Sequence, residues 1–277
     1  MKIITLSAIV FISLCPFLAH ADEAVFDNVM KTGTIRCGYP IWPPSVAKDP
    51  NTKEISGFAY DFVNALGKKL NLKIDWVEET GWGVAEQGIK SGRYDMVCAD
   101  VCTDAPRTRN IWFSVPFSIQ PSFIFTRADN NRFDQDQSKI NDPTVKIAVI
   151  PNTTLDYQAQ DLFPKAQRFD VTDLAGDTDI SMAVATGKAD VGISNMVGID
   201  KFNKNQKQQL KVLGTKPSRY CYGALLLPQG DTQFKYMIDS AIHEFAANGQ
   251  LEKIIRPHFP DDKRYWRAPA YPYQPKD

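Results

Sequence analysis

Two segments of this chain share one local grammar. Residues 88–98 read GIKSGRYDMVC and residues 183–193 read AVATGKADVGI. In each, a helix-like stretch meets Ser or Thr, then glycine, a basic residue, one more residue and aspartate, and an apolar run follows. Glycine ends helices because it adopts the left-handed backbone without a Cβ penalty. The apolar run behind it has the length of a strand. A helix that turns on glycine straight into a buried strand is half of a βαβ unit, and such strands belong to parallel sheets covered on both faces. The unit occurs twice, so the chain is expected to build two α/β units.

The rest of the chain fits that frame. TIRCGYP (34–40) is a short strand. GFAYDFVNALGKKL (57–70) spaces Phe58, Phe62, Ala65, Leu66 and Leu70 as one face of a helix, stopped by Asn71. LKIDWVEE alternates as a strand, WGVAEQGIKSGR is a shorter helix, and YDMVCAD is a strand. The resulting βαβαβ order predicts a largely parallel sheet with helices on both faces. The pattern then restarts: PSFIFTRAD as a strand, residues 130–143 as a loop or weak helix, and VKIAVIPNTTLDYQAQDLF as strand, turn and helix, with Asn152 or Thr153 at the cap. YCYGALLL is a strand. A long amphipathic helix pair broken near Asn248-Gly249 follows, and then a Pro- and Tyr-rich tail without period.

The first residues carry Lys2, an apolar stretch from Ile3 to Leu18 and the small-x-small triplet Ala19-His20-Ala21. They read as a secretory signal peptide over residues 1–21, so the mature protein is expected in the periplasm. Loss of Lys2 leaves 31 bases against 32 acids. That balance argues against a nucleic-acid partner, which asks for a basic face. Cys37, Cys98, Cys102 and Cys221 remain, an even number that suggests disulfides with three possible full pairings. An extended strand would hold Cys98 and Cys102 too far apart to bridge, although a turn after Asp100 would bring them closer. A zinc site is disfavoured by the lack of a Cys-x2-Cys pair and by only three histidines, one of them His20. No triad spacing and no phosphate-binding glycine loop is present, and neither cofactor nor metal is expected.

The order of short motifs resembles the family-3 periplasmic solute-binding proteins, the amino-acid receptors of ABC importers. The segments that carry this are GYPIWPP (38–44), GFAYDF (57–62), SGRYD (91–95), APRTRNIWFSVPF (105–117), NTT (152–154), TGKAD (186–190), Tyr222-Gly223 and NGQLEKI (248–254). The family pattern across residues 91–117 is SG-[KR]-x-D, a strand, T-x-T-x-x-R and an aromatic-Pro segment. The resemblance covers nearly the whole mature chain. It implies two α/β lobes joined by two crossover strands and closing on a ligand: lobe 1 from residues 22–117 and 222–277, lobe 2 from 118–221. It also implies a monomer that captures a small carboxylate-bearing solute, an amino acid or related compound, and meets an ABC permease in the inner membrane. Cys102 and Cys221 would then lie together near the hinge and pair, leaving Cys37 and Cys98 as neighbours.

Ligand roles follow from the same resemblance. Arg107 stands where the family meets the ligand's carboxylate, and a guanidinium fork suits that geometry. Thr153 and Thr154 stand where lobe 2 closes over the same group at a helix N-terminus, and Trp42 where an aromatic ring covers the ligand, with Trp82 as a second candidate. Ala99, Asp100, Val101 and Cys102 replace the family's small and hydroxyl residues. Asn195 replaces the aspartate that faces the ligand's ammonium, so either Asp100 takes over that cation or the ligand is not a standard α-amino acid. Two other readings stay open: a periplasmic enzyme like cyclohexadienyl dehydratase, with Asp100 or Glu86 recruited as general acid, and a ligand-sensing accessory subunit.

Overall fold

The computed structural model describes residues 24–172, 176–259 and 268–269. The expected signal peptide, and most of the Pro- and Tyr-rich tail, lie outside the described residues. The chain begins with α1 (Val25–Thr32), β1 (Thr34–Tyr39), a small hairpin of β2 (Ala47–Lys48) and β3 (Ile55–Ser56), and α2 (Phe58–Leu70). It continues with β4 (Lys73–Glu79), α3 (Ala85–Lys90), β5 (Met96–Cys102), a 3-10 turn (Pro106–Arg109) and β6 (Trp112–Phe113). The long β7 (Ser118–Arg127) leads to a second 3-10 turn (Gln137–Ile140), β8 (Lys146–Val149), α4 (Thr154–Leu162), β9 (Gln167–Asp170), α5 (Asp177–Ala185), β10 (Val191–Ser194), α6 (Met196–Asn205) and β11 (Leu210–Val212). The chain returns along β12 (Arg219–Leu227) and ends in α7 (Thr232–Ala247) and α8 (Gln250–Ile255).

The repeated Gly-basic-x-Asp unit does the same work in both places. Gly92 and Gly187 sit at φ 67° and 75° just past α3 and α5. The aspartate that follows then pins the neighbouring parallel strand. The amide of Asp95 bonds the carbonyl of Arg36 at 2.9 Å, and its carboxylate accepts the Arg36 amide at 2.7 Å. The amide of Asp190 bonds the carbonyl of Lys146 at 2.8 Å, and its carboxylate accepts the Lys146 amide at 2.8 Å. A carboxylate that accepts the N–H of the neighbouring strand gives that backbone donor a charge-assisted partner.

The strands lie in the order β4-β1-β5-β12-β7-β10-β8-β9. The pairs β4-β1, β1-β5, β10-β8 and β8-β9 are parallel, and the three central pairings are antiparallel. Strand β7 pairs with β12 through Ser118–Ser122 and with β10 through Phe123–Thr126, so one strand serves both halves of the sheet. The largest apolar cluster draws on residues 29–117 and 225–255, and two others on residues 124–213. These are two α/β lobes joined by crossing strands. Phe62 stacks on Phe117 at 4.5 Å and meets Phe245 at 5.9 Å, which ties the start of the crossing to the lobe 1 core.

The expected Cys102–Cys221 disulfide links β5 to β12, and Cys37 and Cys98, expected only as neighbours, form a second bridge that links β1 to β5. Strand β5 runs straight through to Cys102, so Cys98 and Cys102 cannot bridge each other and each finds a partner on an adjacent strand.

Candidate functional site

Residues of both halves of the sheet line one pocket: Trp42, Trp82, Asp100, Val101, Cys102 and Arg107 from one side, Ile150, Thr153, Thr154, Leu155, Ser194 and Asn195 from the other, with Gln120 and Ser122 between. It encloses about 530 Å³ of non-atom space, part of it open to solvent. Arg107, Trp42, Asp100, Cys102, Thr153, Thr154 and Asn195, the ligand-site candidates from the sequence, all line it, and Ala99 does not.

Arg107 is 6% exposed and sits in the 3-10 turn after β5. Its Nε donates to Asp104 Oδ2 at 2.6 Å, and its Nη2 donates to the Cys102 carbonyl at 2.6 Å and to Thr154 Oγ1 at 2.7 Å. The guanidinium lies 5.2 Å from the Phe113 ring centre. Asp104 also accepts the Arg107 amide at 3.0 Å, so it caps the turn and neutralises the cation together. A guanidinium has five N–H bonds. Nε and Nη2 spend three of them on the protein, and Nη1 is the nitrogen left with no hydrogen bond among the described residues. The expected fork toward a ligand carboxylate is thus reduced to one nitrogen while this arrangement holds. The sequence reading missed Asp104, though a signal was present: in T-x-T-x-x-R the second threonine falls on this aspartate.

Thr154 opens α4 and makes hydrogen bonds between the two sides. Its hydroxyl lies 2.8 Å from Asp104 Oδ2 and 3.1 Å from the Cys102 carbonyl, in addition to Arg107. Thr153 is the cap residue, but its hydroxyl donates backwards to the Ile150 carbonyl at 2.7 Å instead of accepting from the helix. The first-turn N–H groups of α4 have no intrahelical carbonyl to bond, and residues 153–155 face the pocket.

Asn195 departs from expectation. Its Oδ1 accepts the Gly198 amide at 2.9 Å and caps α6. That fixes the amide's orientation, since a backbone N–H must meet oxygen. The group left over is Nδ2, buried and without a hydrogen-bond partner. The amide oxygen is therefore used by the helix, and the pocket meets an N–H donor there. Trp82 Nε1 is a second buried donor without a partner, and its ring packs edge-on against Trp42 at 5.5 Å.

Asp100 is buried on β5, and Ser118 at the start of β7 donates its hydroxyl to Asp100 Oδ1. A Cβ on Gly223 would sit 1.6 Å from that oxygen, so the glycine on β12 is what admits the carboxylate. Gln120 Nε2 points at the Cys102 sulfur from 3.0 Å. Ser118, Gln120 and Ser122 recur with period two at the start of β7, the alternation that places all three on one face. Glu86 does not line the pocket. It lies behind Arg107, 3.9 Å from Nε, and burial raises its carboxyl above the ordinary range, partly offset by Arg107.

Two α/β lobes enclosing a pocket at their crossing strands define a bilobal binding-protein architecture. The chain belongs to the bacterial extracellular solute-binding proteins, family 3, whose pattern matches residues 35–261. Among its relatives, the cyclohexadienyl dehydratase of Pseudomonas aeruginosa is 22% identical over 234 residues, spanning 84% of this chain and 85% of that protein. The L-cystine-binding protein TcyA of Bacillus subtilis is 22% identical over 247 residues, spanning 87% of each. Among solved structures, an ancestral amino-acid-binding protein described as a precursor of cyclohexadienyl dehydratase superposes with a TM-score of 0.72 at 23% identity, covering 86% of this chain and 100% of that one. Tv2483 bound to L-arginine superposes at 0.71 with 16% identity, covering 85% and 94%.

Proposed function

We propose that this protein captures a small amino acid or related carboxylate-bearing solute in the periplasm and delivers it to an ABC importer in the inner membrane. The observation that carries this reading is the pair of buried, partnerless donors, Asn195 Nδ2 and Trp82 Nε1, in one pocket with Arg107, the N-terminus of α4 and the carboxyl group of Asp100. Unpaired buried donors are costly, and an acceptor-bearing ligand satisfies them. A carboxylate fits the donors, and an ammonium fits Asp100. Relatives that bind cystine and structural neighbours holding arginine support the same class. The two lobes divide near residues 118 and 221, and ligand binding closes them by hinge rotation about β7 and β12. The leader at residues 1–21 directs export.

A dehydratase is the second reading, because one relative carries that name. A general acid must reach the reacting group. Glu86 stands outside the pocket and Asp100 is engaged by Ser118, which favours binding over turnover.

The test is a thermal-shift and native mass spectrometry screen of the mature protein against amino acids and small organic acids. A ligand at a hundredfold excess over its Kd adds about 2.7 kcal/mol of stability. A screen in which no amino acid or organic acid binds overturns the proposal, and turnover of a cyclic dienyl acid replaces it with the dehydratase.

A further inference from the structure

Arg107 is not waiting for a ligand in this fold. Asp104 holds Nε at 2.6 Å, and Nη2 is taken by the Cys102 carbonyl and by Thr154. Both partners of the ion pair are buried, with side chains 6% and 3% exposed. Close to the guanidinium stands a second acid, Glu86. The buried guanidinium beside the pocket is therefore already matched by the carboxyl group of Asp104. Charges in a desolvated cleft interact far more strongly than in water. An added anion meets a site whose cation is already matched, and it must compete with Asp104 for the arginine.

We propose that Asp104 is a specificity-determining residue of the cleft, an internal carboxylate that occupies Arg107 and sets the pocket to take solutes of zero or positive net charge in preference to anions. This rests on the binding-protein reading above and names the charge class of its ligand. The acceptor end of the solute meets Asn195 Nδ2, Trp82 Nε1 and the remaining Nη1 of Arg107. A cationic end meets the carboxyl group of Asp100.

The experiment has two arms. In the first, calorimetric titration compares L-lysine, L-glutamine and L-glutamate on the wild type, Asp104→Asn and Asp104→Thr. Both variants retain an oxygen that can cap the turn. The wild type should bind lysine or glutamine at least tenfold more tightly than glutamate, and each variant should shrink that ratio at least tenfold. A wild type that prefers glutamate, or variants whose ratio stays within threefold of wild type, overturns the proposal. In the second arm, Asp104→Ala is melted in sodium acetate and in sodium chloride of equal ionic strength. Acetate should raise its midpoint by several degrees by refilling the vacated carboxylate position, and should leave the wild type unmoved. No selective effect on the variant, or an equal effect on the wild type, overturns the proposal. If none of the three amino acids binds any variant, the amino-acid reading loses its support and the acetate arm alone decides the role of Asp104.

Discussion

Thr154→Val is the sharpest perturbation of lobe closure. The substitution keeps the shape of the side chain and deletes one hydroxyl. That hydroxyl sits 2.7 Å from Arg107 Nη2 and 2.8 Å from Asp104 Oδ2, across the line between the lobes. Hydrogen bonds to charged groups contribute roughly 1.5–3 kcal/mol net. Both partners are buried, so removing the hydroxyl leaves a charged donor and a charged acceptor each short of one bond in the closed form. Water replaces the lost bonds when the lobes open. The closed state should lose about 1.5–3 kcal/mol against the open one, a factor of about 10–150 at about 1.4 kcal/mol per decade. A ligand held by both lobes binds the closed form, so its apparent Kd rises by that factor once the unliganded protein is mostly open. Titration calorimetry with any binder from the screen measures this, and small-angle scattering of the unliganded protein should report a larger radius of gyration. Thr154→Ser should behave as wild type. A Thr154→Val protein whose Kd stays within threefold, with unchanged scattering, would refute the role given to this hydroxyl.

Asn195→Asp keeps an oxygen for the cap on Gly198 and converts only the inward N–H donor into a carboxylate oxygen. Affinity should fall tenfold or more, and equal or tighter binding would mean the ligand presents a donor there. Asp100→Asn should weaken any ammonium-bearing ligand and spare solutes without a cation, which calorimetry on matched pairs distinguishes. The Cys102→Ser, Cys221→Ser double variant opens a loop with a sequence separation of 119 and should lose about 2–5 kcal/mol of stability in denaturant; peptide mapping of the native protein that found four free thiols would contradict both bridges. Asp177 is pushed up to about 6 by burial, against the pull of Ser194 and Lys201. The folded state therefore holds a proton that the unfolded state releases between about pH 4 and 6, so this group's contribution to stability falls across that window and stays low above it, by at most about 3 kcal/mol. Asp177→Asn should flatten that slope in pH-dependent melts, and an unaltered slope rules the assignment out.

Much of the fold was legible because local chemistry and global architecture agree. Gly92 and Gly187 needed the left-handed backbone, Asp95 and Asp190 needed an N–H to hold, and both pairs announce the same turn into a parallel strand. Several elements that escaped the reading carried weaker local signals. Helix α6 spaces Met196, Ile199 and Phe202 at the right period, but its polar remainder hides them, and its clearest mark is Asn195 as a cap. Strand β9 exposes most of its residues at the sheet edge, so no apolar run reveals it. Strand β6 is two residues long and owes its place to pairing with β12, which no local pattern encodes.

For the site, sequence identified which residues would be present but not how their atoms would be shared. Arg107, Asp100, Thr154 and Asn195 all reach the pocket, as a resemblance in motif order implies. Which of their hydrogen-bonding groups remain for a solute depends on neighbours that sequence spacing cannot rank. Asn195 offers nitrogen because Gly198 takes its oxygen. Gly198 lacks a side chain at a place where a Cβ would lie 1.6 Å from Asp177, and Asp177 in turn is anchored by Ser194 on the strand before the cap. The donor facing the pocket is thus set by a chain of three contacts on α5, β10 and α6. Arg107 follows the same logic, since one aspartate three residues earlier converts a vacant fork into a matched pair. A motif alignment records the arginine in either case, and only the donor count tells the two apart. That count separates a site that draws in anions from one that admits them only in competition with Asp104.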